Sequence, residues 1–281
     1  IRGPQSVLWG SDAIGGALNV LTRRADQVLG GELDAIQGTW NQRLRSADLS
    51  SYTRMSFESP AGPGGVWGGA SYLNVNDLDR GGGLGRQPFT NYSQYAGDIR
   101  YDLPLGDTQA LTFALVHLEQ MNVPRSDKFP GERRLFDPQQ RNLAYMRWQG
   151  AIDEGLFDAF VATLSYQRTK EGALKRKPPT SLVEDRSEFD VDTVGASLVF
   201  ARELGAWGTV RVGGESYHDD VDATKSRYDL SGGGSSPLTP QFPDDSYYSR
   251  LGTFVEWELP IMERVTWTGG LRYSHIEAGG T

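Results

Sequence analysis

The sequence contains no cysteine, and no stretch approaches the ~18 consecutive apolar residues that a transmembrane helix requires. The absence of cysteine excludes disulfide bonds and thiolate chemistry. The absence of long apolar runs, with a mean hydropathy of −0.47, argues against helical membrane spans. It leaves membrane strands open, because a strand needs apolar side chains only on the side that faces lipid.

Basic character and catalytic groupings are also missing. The formal charge is −8 and the isoelectric point is about 5.0, which argues against a nucleic-acid partner, since that partner usually selects a basic patch. The three histidines are scattered, and no Ser-His-Asp, Cys-His or paired-carboxylate arrangement stands out. We therefore predict no enzyme, no catalytic residue, no metal site and no cofactor. The stretch His218–Asp222 favours a solvated acidic loop, with a calcium site of oxygen ligands as the alternative.

Strand-like composition fills most of the chain. The predicted strands are rich in Val, Ile, Thr, Tyr, Phe and Trp and alternate every two residues. Each is near or above the ~9–11 residues that a tilted strand needs to cross a membrane. The eleven predicted spans are 31–41, 50–59, 65–76, 94–103, 109–120, 141–152, 156–169, 189–202, 208–219, 247–259 and 264–277.

The links between these strands alternate in length. Short links at 61–64, 104–108, 153–155, 203–207 and 261–263 alternate with longer ones at 41–49, 76–93, 121–140, 170–188 and 220–246. Transmembrane barrels have short turns on one side and longer loops on the other. The pattern predicts an all-β, antiparallel transmembrane barrel. Its odd number of strands predicts that these residues are part of a larger barrel, since bacterial barrels close with an even number.

The first 24 residues carry a distinct motif. Ile1–Arg24 reads IRGPQSVLWGSDAIGGALNVLTRR. It resembles the end of the plug domain of TonB-dependent outer-membrane receptors: Arg-Gly-Pro, a spacer, an aromatic-Gly-Ser, then Ala-x-Gly-Gly-x-x-Asn-x-x-Thr. Trp9 stands where tyrosine is the more usual ring. The motif residues to which we assign a structural or latch role are Arg2, Gly3, Pro4, Trp9, Gly10, Ser11, Gly15, Gly16 and Asn19.

The resemblance implies an organisation and a function. Residues 1–29 are expected to end a plug domain, and residues 30–281 to form the N-terminal half of a barrel, about 11 of about 22 strands. The expected function is active uptake across the bacterial outer membrane, driven by the periplasmic TonB energy-coupling complex, whose contact box would lie upstream of residue 1. The expected partners are that complex, outer-membrane lipid and an iron chelate or similar ligand.

The ligand is expected to be a ferric siderophore first and haem second, with cobalamin or an oligosaccharide as alternatives. A buried Arg2 would need carboxylate partners, and the resemblance implies a plug-to-barrel latch with Glu215, Glu256 or Glu258. The loop Asn122–Arg141 is basic in an acidic chain. Its cations and rings could hold an anionic chelate. The candidate ligand-binding residues are Arg125, Lys128, Phe129, Arg133, Arg134 and Phe136.

Two functions of other classes fit the strand pattern as well. A soluble or surface β-rich binding module, such as an adhesin, has the same alternation wherever one face of its sheet is wet. An outer-membrane hydrolase would need a catalytic constellation, and the sequence shows none.

Overall fold

The computed structural model describes Val7 and residues 36–280, and within them the backbone forms one antiparallel sheet of 13 strands. Eleven strands follow one another across the sheet in chain order, while β6 and β11 are short additions beside β7 and β10. This ladder confirms the predicted all-β fold class. The strands are β1 (Gln37–Leu44), β2 (Ser51–Ala61), β3 (Gly64–Val75), β4 (Tyr92–Leu105), β5 (Gln109–Met121), β6 (Val123–Pro124), β7 (Arg133–Ala151), β8 (Ala159–Arg176), β9 (Val183–Glu203), β10 (Thr209–Asp229), β11 (Gly234–Pro237), β12 (Ser246–Met262) and β13 (Val265–Gly279).

The longest connections lie at one end of the sheet, as predicted, but the alternation of lengths is not strict, because the link 152–158 at the end with the short turns is longer than the link 177–182 at the other end. Residues 62–63, 106–108 and 263–264 are among the short turns, and residues 76–91 and 230–245 are the longest loops at the other end. Glycine makes the tightest turns possible, because Gly62 and Gly106 have φ values of 60° and 68°, where a side chain would be strained. We call these two ends the short-turn end and the long-loop end.

Four strands extend far beyond the predicted boundaries at the long-loop end. β7, β8, β9 and β10 have 19, 18, 21 and 21 residues, about twice what a membrane crossing needs. The predicted long links 121–140, 170–188 and 220–246 are therefore wrong in part. The cause is that pairing continues into a region where both faces carry charge, so the apolar–polar alternation that marks a membrane strand is lost. The first predicted strand begins before residue 36, and the predicted domain boundary at 29/30 lies outside the described residues.

Side chains sort onto two faces. On β12, Leu251, Thr253 and Val255 are exposed, whereas Gly252, Phe254 and Glu256 between them are buried, as the alternation predicts. Cross-strand partners share a face, so the pattern extends from strand to strand. We call the side with Leu251 the apolar face and the side with Glu256 the polar face.

The distribution of polarity is inverted relative to a water-soluble sheet. Within the described residues, only four hydrophobic side chains are buried. Several charged side chains are buried as well, among them Asp102, Glu184 and Glu256. Large hydrophobics of the apolar face are instead exposed, with Leu271 at 76% and Leu115 at 57%. A soluble monomer rarely exposes a large continuous apolar surface. The sheet therefore has the form of a wall between lipid and a polar interior.

Helices contribute little to the described residues. Two short 3-10 helices occur, Ser126–Lys128 and Gly205–Trp207. In this part of the chain, no helix has the length and apolar character needed to cross a membrane.

Leu115 provides a direct test of the apolar face. It lies six residues past the start of β5 at Gln109, near the middle of a ~9–11-residue crossing. Leu115→Arg in the intact protein is expected to lower the free energy of unfolding in lipid vesicles by about 2–4 kcal/mol, because it places a charge in hydrocarbon.

Val116→Arg is the matched control. Val116 is on the polar face opposite Asp98, so an arginine there meets water and an opposite charge and is expected to cost much less. Equal losses in the two variants would contradict the assignment of faces.

Candidate ligand-binding site

The predicted basic loop, Asn122–Arg141, forms a hairpin whose tip alone is irregular. Val123 and Pro124 of β6 pair with Phe136 and Leu135 of β7, and the 3-10 helix Ser126–Lys128 lies at the tip. The pairing fixes which side of the hairpin each candidate residue occupies. The six predicted residues therefore separate into three groups with different surroundings.

Arg125 and Lys128 share one carboxylate at the tip. Arg125 Nε donates to Asp127 Oδ1 at 2.9 Å, and Lys128 Nζ lies 3.6 Å from Asp127 Oδ2. The hydrogen bond from Arg125, with the nearby charges of Arg125 and Lys128, lowers the pKa of Asp127 to about 2. The carboxylate therefore stays ionised over the physiological range and offsets part of the positive charge at the tip.

Phe129 and Arg133 form a cluster that joins two loops. The ring of Phe129 lies 4.7 Å from that of Phe89 in the 76–91 loop, and the Arg133 guanidinium lies 5.4 Å above the Phe89 ring. Phe89 has a φ of 59°, in the left-handed region that non-glycine residues seldom adopt. Arg133 Nε is buried and has no hydrogen-bond partner among the described residues. This arginine is therefore held by the ring, and the cluster fixes the two loops to each other.

Arg134 and Phe136 lie on the polar face. Arg134 pairs with Lys175, Lys175 with Asp185, and Asp185 with Arg227, in one row across β7–β10. The next row is Phe136, Ala173, Ser187 and Lys225. These rows continue the polar face at the long-loop end. We call the four cations of the two rows, Arg134, Lys175, Lys225 and Arg227, the mouth cluster.

The mouth cluster has more cations than carboxylates. Glu132 lies 3.1 Å from Arg134 Nε and 3.7 Å from Lys175 Nζ, and Asp185 accepts from Arg227 Nε at 2.6 Å. The hydrogen bond from Arg227, with the charges of Arg227, Lys225 and Lys175, holds the pKa of Asp185 below its ordinary value. Within the cluster four cations stand against these two carboxylates, an excess of two in a chain of formal charge −8, and the next carboxylates of this face, Glu171 and Asp229, lie in the flanking rows. Arg134, Lys175 and Arg227 are 31%, 39% and 50% exposed, so an anion can reach them.

Sequence reasoning found Arg134 and Phe136 but missed Lys175, Lys225 and Arg227. The two-residue spacing of Lys225 and Arg227 was a usable signal of one strand face. It was lost because the predicted strands ended at residues 169 and 219, short of these residues.

The opposite side of the extension is held together by a buried carboxylate. Glu184 is fully buried and accepts from Arg176 Nε at 2.5 Å and from Arg186 Nε at 2.7 Å. Arg186 also lies 4.6 Å above the Tyr228 ring. Burial raises the pKa of Glu184, but the hydrogen bonds from Arg186 and Arg176 outweigh it, and the pKa falls below the ordinary value of 4.5. Glu184 therefore ties β8, β9 and β10 together while ionised.

The predicted partners of Arg2 are engaged on the sheet itself. Glu215 is bound to Arg272, and Glu256 and Glu258 are bound to Arg211 at 3.1 and 2.8 Å. The nine motif residues assigned to the plug lie outside the described residues, so the latch stays a prediction.

The acidic stretch His218–Asp222 lies in β10 rather than in a loop. Alternation along the strand places Asp219 and its neighbour Asp220 on opposite faces. In the part of the chain that the structure describes, no three His, Asp or Glu side chains converge in a way that would hold a metal ion.

Glu184→Gln tests the stabilisation of the extension. A lowered pKa means that Glu184 stabilises the fold above 4.5, and that this is lost as the pH falls through the folded pKa. At pH 7 the variant is expected to destabilise the ends of β8 and β9 by about 1–3 kcal/mol, seen as faster amide hydrogen exchange at residues 174–186. At acidic pH the Glu184 carboxyl of the parent protein is protonated and uncharged, as glutamine is. The difference in amide exchange between parent and variant should then shrink.

Glu188→Gln is the control for that experiment, because Glu188 is 62% exposed and lies 3.7 Å from Lys170. It should leave exchange nearly unchanged at both pH values. A Glu184→Gln effect that stays constant with pH would contradict the ionised role of this residue.

Comparison with known proteins gives matches in structure alone. No protein-family model matches the chain, and no curated protein matches it in sequence. The solved copper transporter OprC superposes with a TM-score of 0.75 at 18% identity, over 99% of this chain and 41% of that one. The ferric citrate transporter FecA, in its unliganded form, superposes with a TM-score of 0.68 at 15% identity, over 99% of this chain and 42% of that one.

A mutant of the ferric enterobactin receptor PfeA from Pseudomonas aeruginosa gives a TM-score of 0.64 at 18% identity, over 98% of this chain and 43% of that one. The chain thus spans about two fifths of the length of these solved structures. The strand order, the inverted distribution of polarity and these superpositions agree. The described part of the chain has the fold of the barrel wall of a TonB-dependent outer-membrane receptor, which is the family that the Ile1–Arg24 motif resembles.

Proposed function

We propose that this protein is a TonB-dependent transporter of the bacterial outer membrane, and that it captures an anionic metal chelate at its long-loop end. The observation that carries the proposal is the mouth cluster, a patch of net charge +2 on the polar face of β7–β10. A ferric siderophore is the first choice of ligand and haem the second. Residues 1–29 supply the end of the plug, and the TonB complex acts on a segment upstream of residue 1.

The chemistry of the mouth cluster favours a chelate over a bare metal ion. Cations repel a free metal ion, and soft ions such as Cu(I) select thiolate or thioether ligands. The chain has no cysteine and four methionines, and none of the four lies in the two mouth rows. Arginine and lysine instead form charge-assisted hydrogen bonds with carboxylate or catecholate oxygens. This supports a ligand closer to the ferric chelates of FecA and PfeA than to the copper of OprC.

Aromatic side chains beside the cations add a second mode of contact. Phe136 lies in the row next to Arg134, on the same face as the cations. Flat catechol or porphyrin rings stack on such groups. The function is uptake rather than catalysis, in keeping with the transporters and receptors of the same fold.

Ligand titration of the intact protein tests the proposal. The purified protein is titrated in detergent with ferric tris-catecholate (anionic), ferric hydroxamate (cationic or neutral), haem and cobalamin, and quenching of tryptophan fluorescence is followed. We expect saturable binding of an anionic ligand. Raising the ionic strength should weaken it, because salt screens exposed charges.

Substitutions in the mouth cluster locate the site. Arg134→Gln, Lys175→Gln and Arg227→Gln are each expected to weaken binding roughly 10- to 100-fold, the effect of losing one charge-assisted hydrogen bond. Arg168→Gln is the control: Arg168 lies on β8 like Lys175, but it shares the face of Leu164 and pairs with Asp190 at 3.1 Å. Tight binding of cobalamin that none of the four substitutions weakens would leave the fold assignment unchanged and reject an anionic ligand.

A further inference from the structure

Arg272 on β13 reaches a residue far upstream of the sheet. Its Nη1 donates to the backbone carbonyl oxygen of Val7 at 3.2 Å, across 265 positions of sequence. Val7 belongs to the Ile1–Arg24 motif, so this is a contact between the motif and the wall. The acceptor is a backbone atom, which means that the contact depends on where the segment runs and not on the identity of its side chain.

Arg272 is prepared for this contact by its own wall. Nη2 is ion-paired with Glu215 Oε1 of β10 at 2.5 Å, with the two side chains 11% and 23% exposed. Nε donates to Ser274 Oγ at 3.0 Å. A guanidinium carries five N–H donors in a rigid plane. Holding one edge of that plane on Glu215 and Ser274 therefore aims Nη1 at Val7.

Two glycines leave the space that the arrangement needs. A Cβ at Gly252 would lie 2.2 Å from Nη2 of Arg272, so a side chain there would displace the guanidinium. A Cβ at Gly270 would lie 2.9 Å from Cγ1 of Val7, as well as 2.6 Å from the backbone oxygen of Val255. Gly270 thus gives the Val7 side chain a flat surface of bare backbone. The wall fits Val7 through its side chain and its carbonyl at once.

We propose that Arg272, Glu215 and Gly270 form a docking site for the segment around Val7, with Arg272 as the positioning residue that holds it against β13. The proposal rests on the proposed function in one respect, which is that the segment is the end of the plug. The latch that the resemblance implied ran from a plug arginine to wall carboxylates. Here the wall supplies the arginine, and Glu215 orients it.

A spin label near Val7 measures docking without any ligand or energy source. Gln5→Cys is labelled with a nitroxide in the intact protein, in membranes, and its mobility is recorded by electron paramagnetic resonance. In the parent protein the label is expected to be immobilised. Arg272→Met removes a charge-assisted hydrogen bond and is expected to raise the mobile, undocked population at least about tenfold relative to the docked one. Arg272→Lys, which keeps one donor, should fall between the two.

Two further variants separate docking from general damage. Arg272→Met/Glu215→Gln leaves no unpaired carboxylate in the wall and should still release the label. Arg211→Met is the matched control, since Arg211 is also an arginine of the polar face with two carboxylate partners, and its contacts within the described residues are to Glu256 and Glu258 of its own wall. Three outcomes would each overturn the proposal: a label that stays immobile in both Arg272→Met and Arg272→Met/Glu215→Gln, release in Arg272→Met but not in the double variant, or equal release by Arg211→Met.

Fluorescence titration of the same samples keeps this result apart from the proposed function. The mouth cluster lies at the end of β10 far from the short turn, and neither Arg272 nor Glu215 belongs to it. The Arg272→Met protein should therefore bind ligand as the parent protein does. A label that responds to Arg272 in a protein that binds none of the four ligands would retain the docking site and reject the uptake of those solutes. Ligand binding by a protein whose label does not change mobility when Arg272 is substituted would retain the proposed function and reject the docking site.

Discussion

The structure depends on one constraint, which is that every backbone N–H and C=O group facing lipid must find its partner within the protein. An antiparallel ladder of eleven strands satisfies this between neighbouring strands, while the outer edges of β1 and β13 have no partner strand among the described residues. Such a ladder forces successive side chains onto opposite faces. The chain then needs apolar residues at every second position only. That explains how a mean hydropathy of −0.47 coexists with an apolar face that exposes large hydrophobic side chains and a polar face that buries carboxylates such as Asp102 and Glu256.

The same ladder sets the geometry above the membrane. β7–β10 continue past the length that a membrane crossing requires. Beyond that length the side chains of the apolar face no longer need to be apolar. Ion pairs then occupy both faces: Arg168 with Asp190 on one side and Arg227 with Asp185 on the other. Binding groups on paired strands are held more rigidly than groups on loops. The mouth cluster therefore has a fixed spacing, with Glu184 and its two arginines stabilising the other face.

Sequence reasoning recovered the parts of the fold that this period of two determines. The number of membrane strands, their order and the faces of β12 follow from alternation and from link lengths. The strand extensions did not, because charges on both faces give no period to detect. The six candidate residues show the same limit. Whether Arg133 or Arg134 meets a ligand depends on its cross-strand partners, and a single sequence does not give the register that places Lys175 beside Arg134.

The matching of charges along the wall also explains how an acidic chain can carry a cationic patch. In the membrane-crossing part of the polar face, arginines are matched by nearby carboxylates. Arg100 pairs with Asp102 two residues along the same strand, and Arg54–Asp98 and Arg272–Glu215 each join a strand to the next but one. Such pairs leave little net field along the wall. The mouth cluster departs from this matching by an excess of two cations over Glu132 and Asp185, and it does so on strands that extend past the length of a membrane crossing.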